Sequence, residues 1–332
     1  MCLAIKKINR TMSLLAAIML FLLLLLEPGA SLSGAINGLS LCVGTIIPSL
    51  FPFFVVSALL SSMGIPSHLG NVCAPLMSRI FSVSGIGATA FVLGLSGGYP
   101  LGAATVSEIF LNGDISKDEA GHLLTFCNNS GPAFIVGAAG IGVFGSQSAG
   151  LLLYITHALA AVFVGVLFSP KDNISSIPSG LTPQNTISFA QAFPSCIKSG
   201  VTSILTVSGF VVFFSAIVST LDSVGIFMSF AGGISLRTGA DISAVRALLT
   251  GILELGSGIG AMNGIPLRPA ALALAGFILG WGGISVHFQT MAVIKDSGLS
   301  LTRYFSGKLL HGLISALLAF TAGIVMQSVL FI

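Results

Sequence analysis

The feature that most constrains this chain is a series of apolar runs, each about as long as a lipid bilayer is thick, separated by short polar breaks. A run of about 20 apolar residues spans the hydrocarbon core as a helix. Over 332 residues there are 13 Lys+Arg and 10 Asp+Glu, so 7% of the chain is charged, against roughly 25% in a soluble domain. So few charges cannot cover a water-facing surface, and so much apolar residue excludes disorder. The reading is an all-α polytopic membrane protein. A net charge of +3 without a basic run argues against a nucleic-acid partner.

Lys6, Lys7 and Arg10 precede an apolar run, Leu14 to Leu26, closed by Glu27-Pro28-Gly29. This has the layout of a signal peptide, but no small-x-small cleavage site follows, so it reads as an uncleaved first helix, residues 1–30. Further spans are expected near 35–63, 117–145, 148–168, 198–222, 268–295 and 305–330, with Gly-interrupted segments near 85–112 and 241–265. A Ser/Pro/Asn-rich linker, 169–195, divides the chain into 31–168 and 196–332.

The two parts share motifs in the same order. Phe51-Pro-Phe-Phe-Val-Val-Ser57 has a counterpart in Phe210-Val-Val-Phe-Phe-Ser215, and His157-Ala-Leu in His311-Gly-Leu. Gly94-Leu-Ser-Gly-Gly98 matches Glu254-Leu-Gly-Ser-Gly258, 160 positions on. If the interrupted segments are re-entrant hairpins, each half crosses the membrane three times and the second lies inverted. This predicts about seven spanning helices, two hairpins and two discontinuous spans. With the N-terminus cytoplasmic, ten basic residues (Lys6, Lys7, Arg10, Arg79, Lys117, Lys171, Lys198, Lys295, Arg303 and Lys308) fall inside, and three (Arg237, Arg246 and Arg268) outside, as the positive-inside rule expects.

Four polar interruptions fall within apolar segments: residues 95–102, 127–132, 253–260 and 281–289. Gly and Pro there free backbone groups that lipid cannot satisfy, so such breaks are buried in protein or line a polar cavity. They supply the candidate solute-binding residues Ser96, Gly97, Gly98, Asn128, Asn129, Ser130, Glu254, Ser257, Ser285, His287 and Gln289. Glu254 is the carboxylate in mid-segment, where a charge costs about 3 kcal/mol, and is the candidate ligand for a coupling proton or cation. Close packing is the alternative role for Gly94, Gly98 and Gly102. His157, His311 and the five cysteines (no CxxC) read as packing residues. No cofactor or metal is implied. Gly94-x-Ser96-x-Gly98 has nucleophile-elbow spacing and Gly140-x-Gly142-x-x-Gly145 dinucleotide-loop spacing, but neither has its strand, so no enzyme is expected.

Ser49-Leu-Phe-Pro-Phe-Phe54, Gly94-Leu-Ser-Gly-Gly-Tyr-Pro-Leu-Gly-Ala103, Phe126-Cys-Asn-Asn-Ser-Gly-Pro132, Gly251-Ile-Leu-Glu254 and Gly282-Gly-Ile-Ser-Val-His-Phe-Gln289 resemble the nucleoside-recognition (Gate) domain family, in particular its branch of sporulation integral membrane proteins. That family is similar in plan to the concentrative nucleoside transporters. The resemblance implies a transporter of a small anionic or heterocyclic solute in the cell or forespore membrane, and for the sporulation branch the loading of the spore with dipicolinic acid. The alternatives are a non-transporting membrane scaffold for spore formation and an intramembrane Ser/His protease. Oligomeric state is left open.

Overall fold

The computed structural model describes residues 2–63, 65–170 and 188–330. These form α1 (Cys2–Leu26), α2 (Pro28–Leu41), a π-helical stretch (Cys42–Ile46) and α3 (Ile47–Ser62), which continue into one another from Pro28 on. Then come α4 (Ile65–Phe81), α5 (Gly87–Gly97), α6 (Leu101–Leu111), α7 (Lys117–Phe126), a second π-helical stretch (Ala133–Val143) and α8 (Gln147–Leu167). The second half has α9 (Phe189–Ser223), α10 (Ile226–Thr238), α11 (Ile242–Leu253), α12 (Leu255–Gly260), α13 (Pro269–Trp281), α14 (Gly283–Ile294) and α15 (Thr302–Leu330). All are helices; among the described residues there is no strand.

Five helical stretches among the described residues are long and apolar enough to cross a bilayer: 28–62, 147–167, 189–223, 269–297, which is broken at Gly282, and 302–328. The sequence led us to expect about seven. The difference lies in α1, whose apolar part runs only from Thr11 to Leu26, and in 117–143, which is interrupted at 127–132. Two helices were not anticipated, α4 and α10: both are short and interrupted by Gly or Pro. Most of the expected linker lies outside the described residues, but 189–195 form the first turns of α9.

Side chains start several of the short helices. Ser116 caps α7 by accepting from the Glu119 N–H at 3.2 Å. Asp241 caps α11 from the Ser243 and Ala244 N–H groups at 2.8 and 3.1 Å, and Ser146 caps α8 from Ala149 at 3.2 Å. Each cap supplies an acceptor to N–H groups that the first turn of a helix leaves free.

Two large apolar clusters and two smaller ones make up the interior of the described residues. One large cluster gathers Phe81, Leu123, Phe126 and Val164, with Phe81 and Phe126 stacked at 4.7 Å. The other large cluster gathers Ile135, Leu153, Leu272 and Ile278. Helix α15 shows how a membrane-spanning helix is turned relative to a soluble one. Its buried stripe is Tyr304, Lys308, His311 and Ser315; its exposed stripe is Leu309, Leu313, Leu317 and Phe320. The polar face points inward and the apolar face outward, as lipid requires. Lys308, assigned from sequence to a cytoplasmic loop, is therefore corrected to a fully buried residue.

Candidate functional site

Helices α5 and α6 form a hairpin whose tip, Gly98-Tyr99-Pro100, lies against the break between α7 and the second π-helical stretch. The approach is close: a Cβ at Gly94 or Gly102 would stand 1.8 or 1.9 Å from the Cys127 carbonyl oxygen. The packing role considered for these glycines is thus real. The α13–α14 break turns on Gly282 and Gly283, with φ of +85° and +80°, values that favour glycine.

Each break frees backbone groups, and side chains take them up. At 127–132, Asn129 Nδ2 donates to the Phe126 carbonyl at 2.8 Å, Asn128 Oδ1 accepts from the Ala103 N–H at 3.4 Å, and His157 Nε2 accepts from the Ser130 N–H at 3.1 Å. Where α13 ends, the Tyr99 hydroxyl donates to the Leu279 carbonyl at 3.0 Å. Where α11 ends, Trp281 Nε1 donates to the Ile252 carbonyl at 3.2 Å. Glu254 bridges α11 and α12 and caps the latter, accepting from the Gly256 and Ser257 N–H groups at 3.0 and 2.5 Å. Polar residues at the breaks are there first to satisfy the chain itself.

Lys308 joins three of these parts. Its Nζ donates to the Tyr99 hydroxyl at 2.7 Å, to the Asn128 carbonyl at 2.9 Å and to His311 Nδ1 at 3.2 Å. Three acceptors match the three N–H bonds of an ammonium group. His311 Nε2 faces the His157 carbonyl at 3.0 Å, so it carries the hydrogen and leaves Nδ1 free to accept. The two imidazole rings lie 4.3 Å apart. Sequence reasoning missed Lys308 and Tyr99. The signal was available in the spacing of 304, 308, 311 and 315, which shares one helix face.

A cavity lies among the breaks. Gly98 and Tyr99 of the hairpin tip line it, as do Ser130, Gly131 and Phe134 of the first break, Glu254, Leu255 and Gly256 between α11 and α12, and Val286 and Gln289 of α14. Leu41, Ile46, Ser49 and Leu50 close one wall, and Val207 and Val211 of α9 another. Four of the residues singled out from sequence thus meet here: Gly98, Ser130, Glu254 and Gln289. The others surround it. Ser96 bonds back to the Val92 carbonyl at 2.8 Å, and Gly97 packs on Leu101 and Phe53. Asn128 turns to Thr290 at 2.9 Å. Asn129 is occupied by its own helix end. Ser257 neighbours Ser215 at 3.5 Å. Ser285 accepts from Gln289 Nε2 at 3.3 Å, and His287 Nδ1 meets the Tyr304 hydroxyl at 3.0 Å.

Comparison with known proteins agrees with this architecture. Residues 43–170 match the family described as Gate, nucleoside recognition. The chain is 31% identical to the sporulation integral membrane protein YlbJ of Bacillus subtilis (strain 168), over 94% of this chain and 82% of that protein. No solved structure matches. An integral membrane protein with a Gate domain and this extent of identity belongs to the YlbJ family of sporulation integral membrane proteins.

Proposed function

We propose that this protein is a membrane transporter of a small anionic or heterocyclic solute, working during sporulation. One observation carries the reading: all four interruptions of the apolar segments contribute residues to a single cavity. Broken helices at one cavity are how several transporter folds bind solute with backbone and a few side chains. Gly98, Ser130, Glu254 and Gln289 are the proposed contact residues, and Ser96, Gly97, Asn128, Asn129, Ser257, Ser285 and His287 form the shell behind them. Glu254 is the proposed site of a coupling proton or cation.

The proposed topology is two inverted halves, 31–168 and 196–332, with the N-terminus cytoplasmic and the α5–α6 and α11–α12 pairs re-entrant. In support, a long helix, a short helix, a helix pair, an interrupted helix and a long helix follow one another in each half. Without Lys308 the charge split is nine to three. Cysteines placed at 113–116 and at 266–267 should react with an impermeant thiol reagent from opposite sides; reaction from the same side would overturn the inversion.

Uptake into proteoliposomes tests the function itself. The purified chain should accumulate labelled dipicolinate or a labelled nucleoside above protein-free vesicles. A correctly folded chain that moves neither, and whose melting temperature neither solute raises, would favour the scaffold reading.

A further inference from the structure

A second, larger space lies beside the central cavity, between α3, α6, α9 and α14. It is an open groove, and its walls are unusually polar for a membrane-spanning segment. Ser199, Thr202, Ser203 and Thr206 present hydroxyls from one face of α9, and Thr105 and Glu108 face it from α6. Thr105, Thr202 and Thr206 bond back to carbonyls of their own helices, but a Glu108 carboxylate on this wall is costly against lipid, so the space suits water.

The arrangement has a direction. Helix α6 lines it from Pro100 and Leu101, at the hairpin tip, to Glu108, near the end of the helix at Leu111. Helix α9 lines it from Ser199, in its first third, to Val207. The outer end therefore opens on the face carrying the 112–116 loop, Lys117 and Lys198, and the inner end lies at the level of the hairpin tip.

At that inner end the two spaces share a wall. Val207 and Gln289 line both, and the hairpin tip divides between them, Gly98 and Tyr99 on the central cavity, Pro100 and Leu101 on the outer one. Gln289 is 3% exposed and, among the described residues, its side chain makes a single hydrogen bond, to Ser285 at 3.3 Å. Such a side chain can swing without breaking a network.

We propose that the outer space is the aqueous vestibule through which the solute reaches the central cavity from the Lys117/Lys198 face, and that Gln289 closes its inner end. The proposal rests on the transporter reading. It also narrows the solute. Glu108, bonded to the Ser61 hydroxyl, is the charged residue of the vestibule wall, and Glu254 that of the cavity wall. A route lined by carboxylates admits a neutral heterocycle, or an anion accompanied by a proton or cation, in preference to a free anion.

Thiol labelling of the full-length chain in sealed vesicles of known orientation tests this, with the unsubstituted protein as the background for native cysteines. Thr206→Cys should react with a membrane-impermeant methanethiosulfonate from the Lys117/Lys198 face, and Ser49→Cys, in the central cavity, at least tenfold more slowly. Gln289→Ala should raise the Ser49→Cys rate about tenfold and leave Thr206→Cys unchanged. Gln289→Asn, one methylene shorter with the same amide, should give an intermediate rate and serves if the alanine variant does not fold. A cationic reagent should outpace an anionic one at Thr206→Cys, and Glu108→Gln should remove that preference. Thr206→Cys reacting only with a lipid-soluble maleimide would overturn the vestibule. A Ser49→Cys rate indifferent to residue 289 would overturn the gate. Labelling reads water access rather than uptake, so the expected pattern in a protein that moves no solute would reject transport and leave the aqueous route standing.

Discussion

The two helix pairs occupy corresponding places in the chain, yet they are held in different ways. The α5–α6 hairpin has two arms of eleven residues, and its tip is tied to distant parts of the molecule: Tyr99 to the end of α13, and through Lys308 to the first break and α15. The α11–α12 pair has arms of twelve and six residues, and the point between them is held by the local Glu254 cap together with a long-range bond from Trp281 to Ile252. One tip depends on a network of tertiary hydrogen bonds and the other more on a local cap. It follows that substitutions around the first should disturb the whole assembly, and substitutions around the second chiefly the cavity wall.

The largest effect is expected at Gly102. Gly102→Ala places a methyl group against the Cys127 carbonyl. That backbone cannot withdraw without moving the break, so the cost should be about 3 kcal/mol or more. Gly260→Ala in α12, where a Cβ meets nothing within 4 Å, is the control and should be close to neutral. Thermal unfolding in detergent compares them. Equal melting temperatures for the two variants would break the contrast between the pairs.

Lys308→Met should come next. It retains most of the side-chain volume but leaves the Asn128 carbonyl and His311 Nδ1 without their donor. At about 1–3 kcal/mol for each buried unsatisfied group, and allowing for the ammonium that no longer needs desolvation, the loss is expected near 3 kcal/mol. A Lys308→Met protein as stable as the parent would mean that the first tip is not held by this clamp.

These two residues mark what the sequence could and could not reveal. The breaks were legible because Gly, Pro, Asn and Ser interrupt otherwise continuous apolar runs, and only a few backbone arrangements tolerate that in lipid. The rotation of each side chain was not. Asn128 and Asn129 carry the same chemistry as a solute ligand, but the freed carbonyl and N–H groups beside them claim it first. Lys308 lies five residues beyond Arg303, close enough to a loop to be counted with it, and only the inward stripe of α15 shows that it is buried. α4 and α10 escaped notice because neither is long enough to span nor regular enough to stand out.

Glu254→Gln sharpens the comparison from the other side. The carboxylate uses both oxygens, one for each N–H. A glutamine offers one oxygen and turns an NH₂ group toward the remaining N–H, so the variant should lose about 1–2 kcal/mol. Stability alone therefore does not separate a cap from a coupling group. Uptake measured at several pH values and cation concentrations does. If Glu254 couples transport, the folded variant should lose accumulation or its ion dependence. Transport with unchanged rate and ion dependence would leave it only the cap.

The smallest effect is expected at Ser96. It stands one helical turn before the first tip, and sequence made it a candidate for solute contact. Its hydroxyl instead bonds to the Val92 carbonyl of its own helix, and the residue is absent from the cavity wall. A hydroxyl returned to the i−4 carbonyl contributes little to a helix, so Ser96→Ala should change stability by less than about 0.5 kcal/mol and leave solute affinity unchanged. Ser130→Ala, on the cavity wall, is the informative partner: it retains the backbone N–H bonded to His157 but removes a polar group that a solute would meet. The pair separates lining from position in sequence. A tenfold loss of uptake affinity in Ser96→Ala, with Ser130→Ala silent, would place the solute against α5, outside the cavity bounded by the four breaks.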